Sequence, residues 1–138
     1  MARANVYVDG FNLYYGSVKN TPLKWLDLSR LASLLLPSGT QIHRIRYYTA
    51  RASGRPADPD APTRQQIYLR ALRTIPNLTI SYGHFLKWEV SMPLVKPVPG
   101  GPTTVRVIKT EEKGSDVNLA CHLLLDALRK DCDTAPRC

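Results

Sequence analysis

The run Asn5-Val6-Tyr7-Val8-Asp9-Gly10-Phe11-Asn12 constrains the fold more than any other stretch of this chain. Val6, Tyr7 and Val8 are β-branched or aromatic, as a buried strand requires. Asp9 ends the apolar run abruptly, and Gly10 releases the backbone into a turn. Open α/β sheets place their ligands outside the carboxyl ends of strands. An Asp at that point, followed three residues on by an Asn, can hold a hard cation and its waters. Asp9 also has a plain structural reading as a turn former after a strand.

The remainder alternates between helix and strand signals. Leu28, Leu31, Ala32, Leu34 and Leu35 recur at helical spacing, so a helix is expected over Asp27 to Leu36, with Asp27 as its cap and Pro37-Ser38-Gly39 as its stop. Residues 10 to 24 read as a loop or short turn. Gln41 to Ala50 reads as a second strand, and the Pro- and Gly-rich stretch 52–62 as a loop. Pro62 suits the first turn of a helix over Thr63 to Thr74. Leu78 to Phe85 reads as a third strand. Strand and helix in alternation build a parallel sheet with right-handed crossovers. Trp88 to Val90 and Val105 to Ile108 pair as a hairpin around the Pro- and Gly-rich segment 97–102. A last helix is expected from Ser115 to Arg129, apolar around much of its surface and so heavily buried.

The chain has 138 residues, which suits one domain, and 43% of them are hydrophobic, enough for a core. No apolar stretch approaches the ~20 residues of a membrane span, and no signal-peptide core follows the N-terminus. A cytoplasmic protein is expected. Nineteen basic residues against eleven acidic ones give a formal charge of +8. That field favours polyanions, nucleic acid first and acidic membrane second; a soluble protein from a basic-leaning proteome would carry the same charge. Cys121, Cys132 and Cys138 form no metal-binding spacing and read as reduced thiols, with Cys121 in the helical core.

A second acidic site, Lys113-Gly114-Ser115-Asp116, opens the last helix. Asp116 in the first turn is favoured by the helix dipole whatever its role, and Ser115 reads as the cap. Asp126 lies ten residues further along that helix, about 15 Å of rise away. That is too far to share a metal with Asp116, so Asp126 reads as solvated or ion-paired. His43, His84 and His122 read as structural. Arg51, Arg64 and Lys113 suit phosphate contacts that position a backbone without reading sequence; surface solvation suits them as well. Tyr14 and Tyr15 suit base stacking or core packing.

The motifs Val8-Asp9-Gly10-Phe11-Asn12-Leu13-Tyr14-Tyr15-Gly16 and Glu111-Glu112-Lys113-Gly114-Ser115-Asp116-Val117-Asn118-Leu119-Ala120 together resemble the NYN domain, a relative of the PIN-like nucleases. Tyr48-Thr49-Ala50-Arg51 and Arg64-Gln65-Gln66-Ile67-Tyr68 add to the likeness, which spans most of the chain. The resemblance implies a single domain over residues 1–138 with a Rossmann-like α/β/α sandwich and a mainly parallel sheet. It also implies Mg²⁺- or Mn²⁺-dependent hydrolysis of RNA. Asp9 and Asp116 would be the metal carboxylates and Asn12 their polar neighbour. Family members continue past the last helix into a strand ending in an acidic pair. This chain stops first, and Asp131 and Asp133 precede that strand's position. The expectation is therefore a domain lacking its C-terminal strands, with an incomplete acidic set. Its open sheet edge offers a place for a second copy or another protein. The rival reading is a catalytically dead RNA-binding or protein-interaction module.

Overall fold

A computed structural model describes residues 2–133 of the chain. It is mixed α/β, with a three-stranded parallel sheet and a two-stranded antiparallel one. The elements in order are β1 (Arg3–Asp9), α1 (Gly10–Leu13), a wide π-helical turn (Tyr14–Val18), α2 (Leu28–Leu35), β2 (Gln41–Thr49), α3 (Ala61–Leu72), β3 (Leu78–Tyr82), β4 (His84–Pro93), β5 (Thr104–Lys113) and α4 (Ser115–Leu128). The parallel sheet has the order β1-β2-β3. Among the described residues no helix is long and apolar enough to cross a membrane.

Strand alternation gives this sheet two chemically different faces. Val6, Val8, Ile45, Tyr47 and Leu78 point to one face and pack against Leu28 and Ala32 of α2 and Leu69 and Leu72 of α3. Each such side chain, fully buried, contributes about 1.5–3 kcal/mol. Asp27 caps α2 by accepting from the backbone N–H groups of Ser29 and Arg30, and Pro62 sits in the first turn of α3. Both follow the expected pattern.

The opposite face is polar, and α4 lies on it. The Tyr7 hydroxyl donates to Asp126 Oδ2 at 2.6 Å. Arg46 holds the same carboxylate in a two-pronged grip, Nε to Oδ2 at 2.8 Å and an η nitrogen to Oδ1 at 2.9 Å. Asp126 is thus the ion-paired residue of the two options its position allowed, and it is buried. Tyr48 and His122 Nδ1 meet at 2.8 Å. Nearer the amino end of the strands, Asp131 accepts from Asn5 Nδ2 at 2.8 Å and from Arg44 Nε at 3.1 Å.

This polar layer predicts acid lability. Burial pushes the Asp126 carboxyl up, but the bonds from Arg46 and Tyr7 outweigh it and hold the group below the usual carboxylate range. Asn5 and Arg44 lower Asp131 to about 2. Carboxylates depressed in the folded state stabilise it above their unfolded values near ~4, and that stability disappears as pH falls through the folded values. Thermal melts should therefore hold steady near neutrality and drop progressively below about pH 4. A flat profile down to pH 2 would contradict these pairings.

Several expectations need correction. Residues 10–18 are helical rather than a loop, because Asp9 caps the chain as it leaves β1. The stretch 78–85 is two strands, parted at Gly83, whose N–H donates to Thr49 O at 2.7 Å. The hairpin is far longer than the segments 88–90 and 105–108, pairing His84 with Lys113 through Pro93 with Thr104. Last, α4 is not heavily buried: Val117, Leu124 and Leu128 are 64%, 64% and 80% exposed. The sheet face beneath α4 is polar, so α4 turns Ser115 and Asp126 inward and leaves Leu124, Leu125 and Leu128 outside. Cys121 is likewise exposed rather than core. Beside β1, the Asp133 N–H donates to Arg3 O at 2.8 Å. The approach to a further strand at 134–135, and Cys138, lie outside the described residues.

Candidate functional site

Two acidic side chains from opposite ends of the sequence meet at the carboxyl end of β1. Asp9 is the last residue of that strand. It accepts from the Asn12 backbone N–H through Oδ1 at 3.0 Å and from Asn12 Nδ2 through Oδ2 at 2.9 Å. Asn12 therefore orients the carboxylate from two directions. Each carboxylate oxygen keeps a second lone-pair position.

Asp116 reaches the same place from the first turn of α4. Its carboxylate is near enough to Asp9 to raise the pKa of that group. Asp9 is half-buried, and its desolvation pushes its pKa up; Asn12 opposes this, while Asp116 and then Glu112 push it further up. Like charges held together in this way are an expensive arrangement for a structural role and a common one at functional sites.

The turn that delivers Asp116 uses a residue that sequence reasoning overlooked. Ser115 does not cap α4. Gly114 occupies the cap position with φ 93°, in the left-handed region that glycine tolerates. Glu112 does the capping chemistry from β5, accepting from the Ser115 N–H at 3.0 Å and from Ser115 Oγ at 2.7 Å. A glutamate three residues ahead of a helix start was the available signal. Glu112 is a third negative charge beside Asp9, although its oxygens are turned to Ser115. Among the described residues, no group of three or more His, Cys, Asp or Glu side chains is arranged to hold a metal ion. The donor set is two carboxylates, which suits one Mg²⁺ or Mn²⁺ that keeps several waters and falls short of a two-metal cage.

Gly10 lets the strand end approach β2. A Cβ there would lie 2.6 Å from Tyr47 Cζ and Oη and 2.8 Å from Tyr48 O. Gly10→Ala should therefore destabilise the fold by about 1–3 kcal/mol, as overpacking does. A urea titration reads this directly, and an unchanged midpoint would refute the close approach.

The basic candidates are not gathered at the acids. Arg64 pairs with Asp58 at 2.5 Å. Lys113 pairs with Glu111 at 2.6 Å. Arg51 lies over the Tyr82 ring, 5.5 Å from its centroid. Asp131 and Asp133 lie near the amino end of β1, by Asn5 and Arg3, far along the strand from Asp9.

A cavity of about 260 Å³ opens beside the residues that follow Asp9, reaching from Gly10 and Phe11 to the loop after β2, with neither Asp9 nor Asp116 on its wall. Arg64 is on its wall. Gln65 holds that loop in shape, accepting from the Ala52 N–H and donating to Ala50 O, both at 2.8 Å.

Comparison with known proteins adds one relative. The chain is 31% identical over 156 aligned positions to the 6-hydroxy-3-succinoylpyridine 3-monooxygenase HspA of Pseudomonas putida. The alignment takes in 96% of this chain and 50% of that protein, so the chain spans half the length of this relative. No protein-family model matches the chain. No solved structure matches it either.

Proposed function

We propose that this chain is a metal-dependent ribonuclease domain of the NYN, PIN-like type, built as a Rossmann-like α/β/α sandwich. The observation that carries the reading is the meeting of Asp9 and Asp116 at a strand's carboxyl end. Nothing in the packing of the hydrophobic core requires two carboxyls to share that space. Asp9 and Asp116 would hold Mg²⁺ or Mn²⁺, and Asn12 keeps Asp9 aimed. A bound divalent ion supplies charge neutralisation at the phosphate and a more acidic water. The chain's own part is to present ionised carboxylates. Asp9 must therefore lose its proton, and metal affinity rises with pH through its raised pKa. The net charge of +8 draws RNA to the surface.

Incubation of end-labelled single-stranded RNA with Mg²⁺ or Mn²⁺, against a chelator control, tests the reading. Divalent-dependent cutting supports it. RNA binding without cutting favours the rival, a catalytically inactive RNA-binding module.

A second reading follows from the relative. Its printed name describes an enzyme acting on a hydroxylated pyridine, and the aromatic cavity beside Gly10 is of a size to hold one such ring. Under that reading this chain supplies a ring-binding part of an oxygenase-type enzyme. Saturable binding of 6-hydroxy-3-succinoylpyridine, with no effect of RNA, would favour it.

A further inference from the structure

The geometry points to the cavity beside Asp9 as a subsite for one unstacked nucleobase of a single-stranded RNA, the neighbour of the phosphate held at the acidic pair. This inference rests on the nuclease reading and names a substrate feature of the same site. Two independent observations lead to it.

The first is shape and surface. The cavity holds about 260 Å³, slightly under the ~300–1,000 Å³ of sites for drug-sized ligands, which is room for a single base. Its lining includes two aromatic pairs. Phe11 and Tyr15 stack with ring centroids 6.1 Å apart and planes 20° apart. Trp25 and Tyr68 meet edge to face at 6.1 Å. Tyr15 and Trp25 are 59% and 56% exposed, so neither ring is used up by the core. Bases stack on such rings irrespective of sequence.

The second is charge. Lys19, Lys24, Arg55 and Arg64 line the cavity against the single carboxylate of Asp58. Four cations around an aromatic hollow match a base whose sugar is flanked by phosphates. Arg64 is already paired with Asp58, so Lys19, Lys24 and Arg55 are the cations left for a ligand's anionic groups.

The location links the two. The cavity begins at Gly10 and Phe11, directly after Asp9. A nucleotide whose base enters it brings its own phosphate toward the carboxylate pair.

The test is equilibrium binding of an oligouridylate hexamer, followed by quenching of tryptophan fluorescence, in a buffer containing chelator. An otherwise identical hexamer with abasic riboses is the comparison. The expected result is saturable binding of the base-bearing strand at least tenfold tighter than the abasic one. Tyr15→Ala should lower that affinity about tenfold, from lost stacking. Tyr15 is exposed, and circular dichroism checks that the variant folds. Equal affinity for the two hexamers, or unchanged binding in Tyr15→Ala, overturns the inference. Saturation by a small hydroxypyridine acid with no oligonucleotide binding overturns it too. Because the assay contains no metal, absence of cleavage elsewhere sinks the nuclease reading without touching this result.

Discussion

Asp126→Ala should cost the fold about 3–5 kcal/mol, because it removes one partner of a buried ion pair and strands the other. The Asp126 side chain is only 4% exposed and that of Arg46 16%. Tyr7 would lose its hydrogen bond at the same moment. Domains of this kind are stable by about 5–15 kcal/mol in total, so the variant should be close to unfolding at ordinary temperature. Urea titration should show a large fall in midpoint with little change in slope. Asp126→Asn keeps the shape and one acceptor for Tyr7, and should lose less. Replacing Asp126 and Arg46 together by Leu and Met removes the unpaired charge and should recover most of the loss. A single-variant cost under about 1 kcal/mol would mean that Arg46 finds another partner or water.

The second large effect separates function from stability at Asp9. Asp9→Asn should reduce divalent-dependent RNA cleavage by at least about 10²-fold, more than loss of an outer partner of a metal typically costs. The same variant should melt no lower than the parent in the absence of metal, and slightly higher at neutral pH. The sign follows from the direction of the shift. Burial first, and then Asp116 and Glu112, raise the Asp9 pKa in the folded state. A carboxyl raised on folding stabilises the fold only while protonated, and that contribution disappears as pH climbs through its folded value. At neutral pH the ionised Asp9 is a burden that a neutral amide relieves. Asn is also as good a helix cap as Asp, so α1 keeps its start. A structural aspartate would behave the other way, losing stability on substitution and leaving cleavage intact.

Much of this arrangement was legible in the residues. The strand Arg3–Asp9, the cap at Asp27, the proline at the head of α3 and the parallel order all follow from local rules of backbone and patterning. Strand-end logic pointed to Asp9, whereas the pairing of Asp116 with it was an expectation from the NYN resemblance, since a first-turn carboxylate has a helix-dipole explanation of its own. What failed to show has identifiable physics. Gly83 parts two strands because the backbone of Lys113 occupies the space a Cβ would fill, and an interior glycine was the only trace of it. The exposure of α4 was misjudged because its own apolar residues were weighed without the face it covers. Tyr7, Arg46 and Tyr48 alternate with Val6, Val8, Ile45 and Tyr47, so the strands themselves announced a polar face that needed Asp126, not leucine. Glu112 was hidden because its role depends on Gly114 turning the chain back, a left-handed step that spacing alone does not reveal.

The most direct measurement is a Mn²⁺ titration of the folded chain by calorimetry, repeated on Asp9→Asn and Asp116→Asn at two pH values. The account predicts one Mn²⁺ per chain, tighter at the higher pH, and binding weakened in both variants. Unaltered Mn²⁺ affinity in either folded variant would mean that the two side chains do not share an ion, and the proposed active site would have to be abandoned.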